Sequence, residues 1–165
     1  MDFFIKGITR SVAVFLVIAF SLYGLVSCRE AVPPYSLMGE FCKSYGITGT
    51  VFSPCVNEGE EGYTDEVFFN SVFGGGSEFV SDYAIVFVSD LNTVGECALF
   101  LCYTEYDALV SCDAMHRRID LIKTMGASID TSCAFDAVVF KSGKYAVMCV
   151  LPDNERAERI WRKIL

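Results

Sequence analysis

Apolar positions recur along this chain with three different spacings, and each spacing predicts a different element. Ser11 to Val26 is apolar without interruption and carries no charge. After Pro33-Pro34 the pattern turns helical: Leu37, Met38, Phe41 and Cys42 predict a short helix capped by Ser36, running to about Ser44 and stopped by Gly46. Residues 53–63 hold Pro54, Gly59, Gly62 and three glutamates and read as loop. A helical turn follows from Thr64 to about Phe73, and Gly74-Gly75-Gly76 breaks it. The β-branched and aromatic run Tyr83-Ala84-Ile85-Val86-Phe87-Val88 predicts a strand. A turn is expected over Ser89 to Thr93, then a second strand from Glu96 to Tyr103. Both faces of that second strand are apolar, with Cys97, Leu99, Leu101 and Tyr103 on one and Ala98, Phe100 and Cys102 on the other. It is therefore expected in the middle of its sheet. A long helix is predicted over Glu105 to Met125, because Ala108, Cys112, Met115, Ile119 and Ile122 form a single stripe, with Gly126 as its stop. Phe135 to Phe140 and Lys144 to Leu151 read as a hairpin turning at Ser142-Gly143. Asp153 is placed to cap a last helix, Glu155 to Ile164, whose apolar face is Ala157, Ile160, Trp161 and Ile164.

The order hairpin, helix, hairpin, helix predicts an α+β fold: one four-stranded antiparallel sheet with its helices on one face, preceded by a signal peptide.

The leading apolar run has the parts of an export signal. Lys6 and Arg10 precede it, and Leu25-Val26-Ser27-Cys28 closes it with a small residue and then a cysteine. This is the pattern of a lipobox, with cleavage between Ser27 and Cys28 and a diacylglyceryl group on the Cys28 sulfur. Two acyl chains anchor a protein stably where one would be marginal. An uncleaved, slightly short membrane anchor is the competing reading. Both place the remaining chain at the outer face of the cytoplasmic membrane. The expected organisation is residues 1–27 as signal peptide, 28–36 as tether and 37–165 as one α+β domain.

Composition narrows the partners. Asp2, Lys6 and Arg10 give the leader a net charge of +1, so the 138 residues after it carry −9 against −8 for the whole chain. So acidic a surface argues against binding nucleic acid or anionic lipid through it. Of the eight cysteines, seven remain once Cys28 is set aside: Cys42, Cys55, Cys97, Cys102, Cys112, Cys133 and Cys149. The number is odd, no C-x-x-C occurs, and Cys97, Cys102, Cys112 and Cys149 lie inside apolar periodic segments, where they read as small buried hydrophobes. Cys42 and Cys55 are the first pair to examine for a bridge. Zinc-ligand spacing is absent, and His116 is the only histidine.

Few residues suggest chemistry. Cys112 and His116 are four apart on one helix, but a thiol–imidazole dyad needs an exposed thiolate, and Cys112 falls on the buried stripe. The acids between Asn57 and Glu66 do not follow a calcium-loop pattern. The triple glycine lacks the lysine of a phosphate loop. Arg156, Arg159, Arg162 and Lys163 make the last helix basic against an acidic body, either as a solvated face or as a docking patch for a protein or lipid headgroups. No catalytic residues, metal ligands or cofactor are assigned.

The leader with its lipobox, Glu96-Cys97-Ala98-Leu99-Phe100 opening a strand, the long amphipathic helix, the hairpin Lys141-Ser142-Gly143-Lys144-Tyr145-Ala146-Val147, and a terminal helix with Ala157, Glu158 and Trp161 stand in a telling order. That order resembles a family of small lipoproteins from clostridia and related Gram-positive bacteria whose domain has no assigned function. The resemblance covers roughly residues 82–165 and the leader. It implies fold and location and names no reaction. The expected function is a non-enzymatic interaction or accessory role at the cell envelope, with another envelope protein as partner. The alternatives are a small ligand-binding lipoprotein serving a transporter, or an envelope hydrolase.

Overall fold

Tyr83, Ile85, Ala98, Phe100, Ala146 and Met148 point to one side of a sheet, while Ala84, Val86, Cys97, Leu99, Val147 and Cys149 point to the other. Both sets are buried, so this sheet needs an apolar cover on each face. The computed structural model describes residues 31–88, 94–125 and 130–165, and there both covers are present. In chain order the elements are α1 (Pro34–Tyr45), β1 (Val51–Phe52), α2 (Glu66–Phe73), β2 (Val80–Phe87), β3 (Glu96–Cys102), α3 (Glu105–Thr124), β4 (Val138–Ser142), β5 (Tyr145–Val150) and α4 (Asn154–Ile164). Short 3-10 turns at Ser77–Phe79 and Ser132–Ala134 precede β2 and β4.

The fold is α+β, a five-stranded antiparallel sheet in the order β1-β2-β3-β5-β4 with four helices. Helices α2 and α3 cover one face, and α1 and α4 cover the other. Two expectations are corrected here. The sheet has five strands rather than four, because Val51 and Phe52 pair with Val86 and Ile85 along the free edge of β2. The helices lie on both faces rather than one, because the alternation in β2, β3 and β5 leaves neither face polar. The central position of β3 is as the sequence predicts: β2 and β5 flank it, and both of its faces are buried.

Local chemistry explains most boundaries. Helix α1 starts at Pro34, ahead of Ser36, and Ser36 is not its cap; a proline in the first turn has no N–H to orphan. Gly46, at φ 81°, stops it as expected. Asp65 caps α2 by accepting from the Phe68 N–H. Thr104 and Asp107 form a reciprocal capping box that starts α3. All five residues of the predicted α3 stripe are buried. Strand β4 begins at Val138 rather than Phe135, because Asp130 accepts from the Ser132 N–H and winds 132–134 into a 3-10 turn. Ser142 and Tyr145 pair across a two-residue turn opened by Gly143 at φ 55°. Asp153 caps α4 by accepting from the Arg156 N–H. The expected turn at 89–93 and the Gly126 stop lie outside the described residues.

Each face has its own aromatic centre. Phe41 of α1 stacks on Trp161 of α4 at 4.5 Å and 6°. On the other face Phe69, Phe73, Tyr83 and Phe100 interlock at centroid distances of 4.8 to 6.5 Å. Val32–Leu165 form one compact unit. Among the described residues no helix is long and apolar enough to cross a membrane.

Candidate functional site

Ser27 and Cys28, the predicted cleavage and lipidation positions, lie outside the described residues. The folded unit begins at Val32, and its first contact fixes where the chain enters it. The Tyr145 hydroxyl, at the start of β5, donates to the Val32 carbonyl at 2.8 Å. Burial and this hydrogen bond act on the phenol in opposite directions, and burial raises its pKa. The entry point is thus pinned beside the β4–β5 turn.

Helix α4 returns to the same place. It starts after β5 and runs back over the sheet, so that Ile160, Ile164 and Leu165 pack in the cluster that holds Phe140 and Tyr145. The Arg162 guanidinium lies 4.6 Å over the Phe140 ring and donates to Glu158 at 2.8 Å. Arg159 pairs with Glu155 and Lys141 with Glu105, both at 3.5 Å. Lys144 and Lys163 have no ion-pair partner among the described residues. The C-terminal part of the helix read as basic from sequence therefore lies beside the β4–β5 hairpin, with Arg162 over Phe140, and its Arg159 and Arg162 are paired with glutamates of their own helix.

A cleft of about 330 Å³ opens on the other face, between α2, the turn before β2 and the start of β2. Phe69, Tyr83 and Tyr103 supply apolar walls, and Glu66, Glu78 and Asp82 supply carboxylates. Two of the three are already engaged. Glu66 accepts from Ser77 at 2.8 Å, and Asp82 accepts from the Cys55 thiol at 3.3 Å. Burial and the Asp82 carboxylate raise the Cys55 pKa, which keeps the thiol protonated and a poor nucleophile.

The other sequence candidates separate. The Cys112 thiol is buried and donates to the Ala108 carbonyl at 3.3 Å, with its pKa raised by burial, while His116 faces solvent. The acids of the 53–63 loop do not converge: Glu61 accepts from Thr50 at 2.7 Å and Glu60 from Asn57 at 3.1 Å. Among the described residues no three His, Cys, Asp or Glu side chains are placed to hold a metal ion. Gly74 ends α2, and the two glycines after it lead into the next turn. Cys42 and Cys55 are both free thiols; Cys42 packs into the α1–α4 cluster, where burial raises its pKa to about 11.

The pair that spacing did not reveal is Cys97 and Cys149, whose sulfurs lie 3.7 Å apart with both residues fully buried. They are opposite each other in β3 and β5. The Cys102 N–H donates to the Lys144 carbonyl, and antiparallel pairs alternate between hydrogen-bonded and non-hydrogen-bonded. Five steps along, Cys97 and Cys149 fall in a non-hydrogen-bonded pair, where side chains come closest. Only the strand register reveals this, and the register joins residues 52 apart in sequence. Burial and the neighbouring sulfur push the Cys97 thiol well above its ordinary range.

Comparison with known proteins found no matching family model, no similar curated protein and no similar solved structure.

Proposed function

We propose that this chain is a lipoprotein of the outer face of the cytoplasmic membrane, anchored by a diacylglyceryl thioether on Cys28, with a non-enzymatic accessory role at the envelope and another envelope protein as its partner. The observation that carries the reading is the position of the folded unit relative to the lipobox. The unit starts at Val32, and both hydrophobic clusters are built from Leu37 onward. Cleavage between Ser27 and Cys28 leaves every core residue among the described residues in place, and the new N-terminus lies four residues before Val32. The Cys112 thiol, the one weighed as a nucleophile, supports the non-enzymatic half of the reading, since it is buried and donates to the Ala108 carbonyl.

The test is metabolic labelling with an alkynyl fatty acid. Wild type is expected to take up label and to be cut by protease added to intact cells. Cys28→Ser is expected to lose the label. Equal labelling of the two proteins, or protection of wild type from external protease, would overturn the reading. The cleft walled by Phe69, Tyr83 and Tyr103 favours a second reading, a small-ligand carrier. That reading requires a ligand-dependent rise in Tm.

A further inference from the structure

We propose that Cys97 and Cys149 form a cross-strand disulfide that clamps β3 to β5 in the middle of the sheet. The bond depends only on the register of those two strands and not on the Cys28 anchor.

Register places the backbone. Cys97 and Cys149 face each other in a non-hydrogen-bonded antiparallel pair, on the sheet face that α1 and α4 cover. Such pairs hold their Cα atoms about 4.5 Å apart, inside the range of about 4.4–6.8 Å that a disulfide bridges. The two sulfurs already lie 3.7 Å apart. Closing them to a bond length of about 2.05 Å needs side-chain rotation and no parting of the strands.

Most of the other thiols among the described residues are turned toward oxygen. Cys55 donates to Asp82, Cys112 to the Ala108 carbonyl and Cys133 to the Val94 carbonyl, and Cys102 lies 3.4 Å from the Ser111 hydroxyl. Cys97 and Cys149 instead meet each other's sulfur, with both residues fully buried. The nearest competitor is Cys42, which packs against the same cluster. The buried Trp161 indole N–H has no hydrogen-bond partner among the described residues, and it acts on Cys97 in the direction that favours the thiolate.

In the reaction two S–H bonds break and one S–S bond forms. The Cys97 thiolate attacks a disulfide oxidant, a small-molecule disulfide or a thiol–disulfide oxidoreductase, and forms a mixed disulfide with it. Cys149 then displaces the rest of the oxidant, which leaves as two thiols carrying the two protons and two electrons. Both sulfurs are buried, so the exchange takes place before β5 has closed on β3 or when it transiently opens. The finished bond closes a loop between positions 52 apart, with α3 and β4 inside it. A loop of that length restricts the unfolded chain strongly and so stabilises the fold.

The test uses the full chain in mild detergent. Reduced, urea-unfolded protein is refolded by dilution into a mixture of reduced and oxidised glutathione. Folded protein is held in the same mixture just below its Tm, so that equilibrium is approached from both sides. Remaining thiols are alkylated in denaturant, and peptides are mapped by mass spectrometry without reduction. One internal bond is expected, Cys97 linked to Cys149 with the loss of two hydrogens. Tm is expected to rise by about 10 °C over protein kept reduced. Trp161 is the only tryptophan and packs in the same cluster, so its fluorescence is expected to fall, because a disulfide in contact quenches an excited indole. Cys42→Ser and Cys55→Ser should keep all three signals, and Cys149→Ala should lose them. Recovery of Cys97 and Cys149 as alkylated thiols from both directions would overturn the proposal. So would a predominant bond between any other pair, or a Cys97–Cys149 bond that lowers Tm. If Cys149→Ala fails to fold, the wild-type peptide map still decides.

Discussion

Glu96 opens β3 with its carboxylate wholly buried, and Arg118 of α3 reaches it with donations at 2.7, 3.0 and 3.2 Å. Arg118 itself is only 14% exposed, so the pair is shielded from solvent screening. Burial raises the Glu96 pKa, and Arg118 pulls it back in part. A carboxyl whose folded pKa exceeds its unfolded value binds more protons in the native state. Its contribution is complete below the unfolded pKa near 4.5 and is lost as pH rises toward the raised value. Arg118→Met leaves the charge buried and unpaired, an expected loss of about 3–5 kcal/mol near neutral pH. In urea unfolding that loss should shrink as pH falls and Glu96 accepts a proton, and Glu96→Gln in the same background should remove the pH dependence. A loss that is constant with pH would show that Arg118 matters only through packing. The sequence shows Glu96 as an acid at the head of an apolar strand and Arg118 as a cation off the helix stripe, but it does not show that they meet.

At the scale of elements, side-chain caps fix three of the helix starts. Thr104 with Asp107, Asp65 and Asp153 each accept from the backbone N–H three residues on. Thr104→Ala is expected to cost about 1 kcal/mol, measured as a shift in urea midpoint at constant m-value. A shift close to zero would mean that Asp107 and the buried face of α3 suffice to start the helix. Ser36 carries the same local signal as Thr104 yet caps nothing, because Pro33-Pro34 begin the turn two residues earlier. Asn154 ties an element end to its surroundings: its side chain accepts from the Leu151 N–H at 2.9 Å and donates to the Cys133 carbonyl at 3.0 Å. The turn after β5 is thereby held against the turn before β4, a contact that helical periodicity in α4 does not encode.

For the molecule as a whole, the relevant boundary lies between residues 31 and 32. Among the described residues both cores are assembled from Leu37 onward, so a chain lacking residues 1–28 should unfold in urea within about 0.5 kcal/mol of the full chain. A larger deficit would mean that the leader contributes to folding. The sequence by itself determined which residues are buried within β2, β3, β5 and the α3 stripe, because alternation and helical spacing are local properties of the chain. It also determined the stop at Gly46, the hairpin turn at Gly143 and the cap at Asp153. Tertiary structure alone decided that α1 and α4 share one face while α2 and α3 share the other, since an apolar stripe says that a helix is covered and not what covers it. Pairing at the sheet edge likewise turned Val51–Phe52 into a strand, and register brought Cys97 to Cys149. The meeting of α4 with the β4–β5 hairpin was half visible, as a helix with an apolar face. Its other half, Phe140 beneath Arg162 and the entry point at Tyr145, joined it only because α4 folds back along the sheet, a long-range event that no window of sequence contains.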